Sequence, residues 1–262
     1  MTEAEWLACE APEDMWEYLR TRATKADRKS RLFLVACARR VWHLIVDPRS
    51  HEAILIAERL ADGLASEDDR MNSEGAARHA ADDALEACGR FLEVRDDDEI
   101  VELPGYRAQM AESCATDAAA LCVVPSERLL AASPAPGEWK GFVAGAANEA
   151  AYAVSYAALE RECNEIVGRT ARAGERAVQA ALLRDVFGNP FRPVSFSPEW
   201  RTDTAVTLAQ QMYESRDFSA MPILADVLQD AGCDGADLLA HCRGLGPHVR
   251  GCWVVDLALG KQ

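Results

Sequence analysis

The sequence predicts an all-α protein, a multi-helix bundle of about ten helices with a small C-terminal helical unit. Three observations carry that expectation. Apolar residues recur at helical spacing through most of the chain, with no apolar/polar alternation of the kind that marks a half-buried strand. Prolines and Pro/Gly clusters such as Pro104-Gly105, Ser133 to Gly137 and Gly188 to Pro198 mark breaks between these stretches. About half of the 262 residues are apolar (49%), enough to fill a core and too many for a disordered chain.

In chain order, Glu3 to Cys9 and Pro12 to Arg22 read as two short helices hiding Trp6, Leu7, Met15, Trp16 and Leu19. Asp27 is placed to cap a helix from Arg28 to Val46, with Leu32, Val35, Ala36, Trp42 and Val46 inward and Pro48 as its stop. Ser50 then opens a helix that keeps Ile54, Ala57, Ala61 and Leu64 on one face. From Ser66 an alanine-rich stretch carries the stripe Ala77, Ala80, Ala84, Leu85, Cys88 and Leu92. The acidic run EVRDDDE reads as an exposed end or loop, and Pro104-Gly105 as a turn before a helix over Tyr106 to Val123. A break follows at Ser133 to Gly137. The longest helical signal runs from Glu138 to Arg184, as one helix or as two divided near Gly168 or Gly174.

The next segment differs in kind. Between Asp185 and Trp200, Gly188, Asn189, Pro190, Pro193 and Pro198 forbid a regular helix, while Phe187, Phe191, Phe196 and Trp200 forbid a solvated loop. These four aromatics form a strap that lies on the core or docks a partner. Beyond it come an amphipathic helix from Thr202 to Ser215, a second one capped by Ser219 and ended by Gly232, and a short one capped by Asp234. The last helix, His248 to Leu259, is apolar nearly all round and should be buried. The expected division is a bundle over 1–184 and, over 185–262, the strap plus a C-terminal helical unit.

Charge and cysteine usage bound the function. A formal charge of −15 argues against nucleic acid and anionic membranes as partners, which need clustered Lys and Arg. The nine cysteines are odd in number and scattered through helical patterns, as expected of reduced thiols in a cytoplasmic protein. No stretch reads as a leader peptide or a membrane span.

The opening MTEAEWLACEAPEDMWEYLR, the helix RLFLVACARRVWHL, the segment LLRDVFGNPFRPV and the tail HCRGLGPHVRGCWVVDLALGK resemble a multi-copy family of helical proteins from planctomycete bacteria. The resemblance covers both ends of the chain and is weakest over the alanine-rich middle. It implies a lineage-specific helical module, sometimes part of larger proteins, and carries no activity, cofactor or catalytic residue.

The tail holds the one concentration of chemistry-bearing side chains. Cys233, seven residues, His241-Cys242, five residues, His248, three residues and Cys252 give a loose Cys/His set. Zinc takes four such ligands in a tetrahedron, and the candidate ligands are Cys233, His241, His248 and Cys252. No CxxC knuckle accompanies them, which is the spacing that makes zinc motifs specific, and buried cysteines with hydrogen-bonded histidines are the competing reading. A nucleophilic cysteine is a third reading, with His248, Cys252 and Asp256 one helical turn apart. On a helix, however, those groups point outward in parallel and do not converge. Asp230 to Asp234 begins like a calcium loop but has Gly232 and His241 at ligand positions, and no P-loop, HExxH or GxSxG is present. The expected function is a non-enzymatic interaction or scaffold module with a protein or peptide partner. A zinc protein comes second and a thiol-dependent enzyme third.

Overall fold

In the computed structural model the chain is all-α, and the structure describes residues 1–22, 27–94, 100–125, 142–162 and 164–261. Twelve α-helices occur among the described residues. They are α1 (Glu3–Ala8), α2 (Pro12–Arg20), α3 (Asp27–Arg40), α4 (Pro48–Ala61), α5 (Glu67–Gly89) and α6 (Tyr106–Ala120). After these come α7 (Phe142–Glu162), α8 (Glu165–Phe187), α9 (Asp203–Ser215), α10 (Met221–Asp230), α11 (Ala236–Arg243) and α12 (Trp253–Leu259). No helix among the described residues is long and apolar enough to cross a membrane.

The chain forms two compact units, Glu10–Gln179 and, built from both chain ends, Met1–Cys9 with Ala180–Gln262. The second differs from the expected 185–262 by beginning inside α8 and by taking in α1. The sequence reason is Arg184, whose guanidinium donates to the carbonyls of Trp6 and Cys9, both 3.0 Å away. Those carbonyls belong to the end of α1, where a helix leaves its last acceptors unpaired. Glu3 is held in turn by Asn189 at 2.7 Å and Arg192 at 2.6 Å.

In the first unit, small residues set the spacing of the helices. Ala111, Ala115, Ala118 and Ala119 of α6 and Ala146, Ala147, Ala150 and Ala151 of α7 are all buried, and side chains this small let helix axes approach closely. Trp16, Leu32, Phe33, Leu34 and Ile54 supply the bulk of the core. Arg31 reaches across to the carbonyls of Cys122 and Val124, and Arg70 to that of Val123, so the buried end of the 3-10 turn after α6 has its acceptors paired.

Several boundaries differ from the sequence expectation. Pro48 opens α4 instead of stopping α3: Asp47 is the N-cap, accepting from the Arg49 N–H at 2.8 Å, and proline fits the first turn because its missing N–H has no acceptor there. Helix α3 ends at Arg40, which leaves Val46 exposed, and Leu7, Leu64 and Leu85 are exposed as well. The long signal is two helices, α7 ending at Glu162 and α8 beginning at Glu165. Neither Gly168 nor Gly174 breaks α8. Gly168 is instead a contact point, since a Cβ there would fall 2.5 Å from Leu159 Cγ. A short antiparallel pair, Leu92–Val94 with Ile100–Glu102, was not foreseen; strands of three residues are too short to show alternation. The expected break at 133–137, the Asp27 side chain and part of the acidic run 93–99 lie outside the described residues.

Candidate metal centre

The C-terminal unit has its own apolar core, with Met212, Tyr213, Leu224, Leu228, Val254 and Val255 among its members. Phe196 and Trp200 pack on it, edge to face with centroids 5.4 Å apart, while Phe187 ends α8 and Phe191 lies in the following turn. All four strap aromatics are half-buried.

Four side chains meet at the edge of this core. Asp185 comes from the last turn of α8, His241 from the last turn of α11, His248 from the irregular loop after it, and Cys252 caps α12. One ligand atom from each lies within 4.8 Å of all the others. Asp185 Oδ1 is 3.1 Å from His241 Nε2 and 2.9 Å from His248 Nδ1. Cys252 Sγ is 3.3 Å from the same His241 nitrogen and 4.0 Å from the same His248 nitrogen. Donors about 2.0–2.3 Å from a tetrahedral zinc stand roughly 3.3–3.6 Å from one another, so the set is close to that size.

The backbone explains how the residues arrive there. Gly188 ends α8 at φ +72, and a Cβ on it would sit 3.3 Å from the Trp253 ring. Glycine therefore lets Trp253 lie against the α8 terminus, and the same indole packs on His241 with centroids 5.1 Å apart. Gly251, at φ +98, turns the chain into Cys252. The Val249 N–H donates to Asp185 Oδ2 at 2.9 Å, which ties the loop to the carboxylate and fixes its orientation.

Within the group the electrostatics act in two directions. Burial pushes the Asp185 carboxyl up, but hydrogen bonds from His241 and His248 outweigh it and hold the group below the usual carboxylate range. Burial and then the Asp185 charge push the Cys252 thiol well above its ordinary value. A divalent cation at the centre reverses the second effect, because a coordinating thiol loses its proton.

Position by position, the structure brings together three of the four expected ligands, His241, His248 and Cys252, and puts Asp185 where Cys233 was expected. Cys233 is buried within the apolar core, as is Cys242, whose thiol burial raises to about 12. Asp256 is buried in α12, outside the group. His248 is not on a helix, since α12 begins only at Trp253, so the expectation of parallel, outward-pointing groups is corrected for two of the three: His248 and Cys252 converge, and Asp256 does not join them. Asp185 had a signal of its own, an acid three residues after Leu182 on the buried face of α8. The chain matches no protein-family model, no curated protein and no solved structure.

Proposed function

We propose that the chain is a non-enzymatic helical module whose C-terminal unit is built around a structural zinc ion. The observation that supports this is the use of one nitrogen per histidine. Nε2 of His241 faces both Asp185 and Cys252, and Nδ1 of His248 does the same. A Cys-His-Asp relay needs the base to meet its nucleophile through one nitrogen and its carboxylate through the other. Convergence on a single point instead suits an ion. Four protein donors fill a tetrahedron and leave no open position for a substrate, which is the pattern of structural sites. Cys252, fully buried, is also badly placed to attack anything. The rest of the chain, acidic and without a catalytic motif, accords with an interaction or scaffold role.

Cobalt(II) substitution tests the reading. Protein freed of metal and titrated with cobalt should develop the intense visible bands of a tetrahedral site together with a thiolate charge-transfer band, and Cys252→Ser should lose the latter. A weak, octahedral spectrum would overturn it.

A further inference from the structure

We propose that the open face between α9 and α10 is a docking groove for a basic amphipathic helix of another protein. This rests on reading the chain as an interaction module and is independent of the metal centre. The groove has a volume of about 410 Å³ and is lined by Leu208 of α9 and by Ile223 and Val227 of α10. Leu208 and Val227 are half-buried, and Ile223 is 57% exposed, so aliphatic surface from two helices meets solvent in one place.

Charge selects the occupant. Helices α9 and α10 together carry Asp203, Glu214, Asp226 and Asp230, all exposed, and neither contains a Lys or Arg. Asp203 lines the groove itself, and Asp230 lies one turn beyond Val227 and two beyond Ile223, on the same row of α10. Asp226 is engaged by Arg243 at 2.8 Å and Glu214 accepts from Gln210 at 2.5 Å, which leaves Asp203 and Asp230 to face a visitor. A nucleic acid or an anionic membrane meets like charge here, and so does a second copy presenting the same face. A helix with aliphatic residues along one stripe and Lys or Arg beside it satisfies both the floor and the rim, in the helix-in-groove mode. Thr207 and Gln211, along the α9 wall, offer hydrogen-bonding groups to its flanks.

The test uses a fluorescein-labelled synthetic helix of Leu, Ala and Lys, followed by anisotropy at near-physiological salt. The expected result is saturable one-to-one binding that Ile223→Asn weakens by about tenfold or more, as loss of a central anchor does. Asp203→Asn with Asp230→Asn should weaken it and flatten its salt dependence. Leu64→Asn, at an exposed leucine of the other unit, is the control and should change nothing. Because Ile223 is largely exposed, its variant should keep the wild-type melting temperature, which circular dichroism checks. Equal binding by Ile223→Asn, or by a peptide with every Leu replaced by Ala, would reduce the effect to bulk charge attraction and overturn the proposal. So would sedimentation showing that this face pairs two copies. The variants are compared at equal zinc content, so failure of the groove proposal is distinguishable from failure of the metal centre.

Discussion

Oδ1 of Asp185 lies 2.9 Å from Nδ1 of His248, a residue 63 positions further along the chain, and the other oxygen of the same carboxylate takes the backbone N–H of Val249. A buried carboxylate thus fixes both the side chain and the backbone of a loop that has no regular structure of its own. The loop owes its conformation to the end of α8 more than to its own sequence.

That dependence makes Asp185→Asn costly. The amide keeps the size of the carboxylate but removes the negative charge that two imidazoles and the Val249 N–H face, and removing one partner of a buried charged group costs about 3–5 kcal/mol. Urea unfolding followed by tryptophan fluorescence should show a loss of that order. A chelator should destabilise the wild type and leave Asp185→Asn unmoved, since binding energy is folding energy at such a site.

Two glycines of α8 should respond in opposite directions to alanine. Gly174 has nothing within 4 Å of an added Cβ, so Gly174→Ala should stabilise by up to about 1 kcal/mol through helix propensity. At Gly168 the same propensity gain meets Leu159 Cγ at 2.5 Å and Cδ2 at 2.8 Å. Overpacking costs about 1–3 kcal/mol and outweighs it, so Gly168→Ala should lower the melting temperature.

The pH dependence of the first unit should carry the mark of Asp117. Burial, with the charges of Glu149 and Asp82, pushes its carboxyl from 3.8 to about 6. A carboxyl whose folded value is raised favours the fold only while protonated. Its penalty is absent below the unfolded value, grows as pH rises from 3.8 to about 6, and is complete above that. A carboxyl raised from 3.8 to about 6 carries a penalty of about 2–3 kcal/mol. Asp117→Asn should therefore be more stable than wild type at neutral pH and equal to it near pH 3.5, measured by urea unfolding across the range.

How much of this was legible in the sequence follows the range of the interactions involved. The apolar stripes of α9 and α10 are local, and they identify the helices. The ends of helices are set by single hydrogen bonds, and there Pro48 misleads: the same residue stops one helix or starts another, and only the Asp47 cap decides. At the candidate metal centre, His241, His248 and Cys252 are legible from residue type and proximity in the chain. Asp185 is legible only as an acid on the apolar face of α8, and its place in the group is not, because its partners lie 56 and 63 residues away. Cys233 looks the better ligand on spacing, yet it serves the core, and only tertiary packing separates a buried thiol from a ligand. The convergence of His248 and Cys252 is hidden too, since four residues apart reads as one helical turn.

The zinc site proposed among Asp185, His241, His248 and Cys252 is tested by zinc per chain, on protein prepared without chelator or affinity metal. About one zinc is expected in the wild type and in Cys233→Ser, and almost none in Asp185→Ala, as four donors filling one tetrahedron require. A wild type without stoichiometric zinc, or zinc that disappears with Cys233 and survives the loss of Asp185, would contradict it.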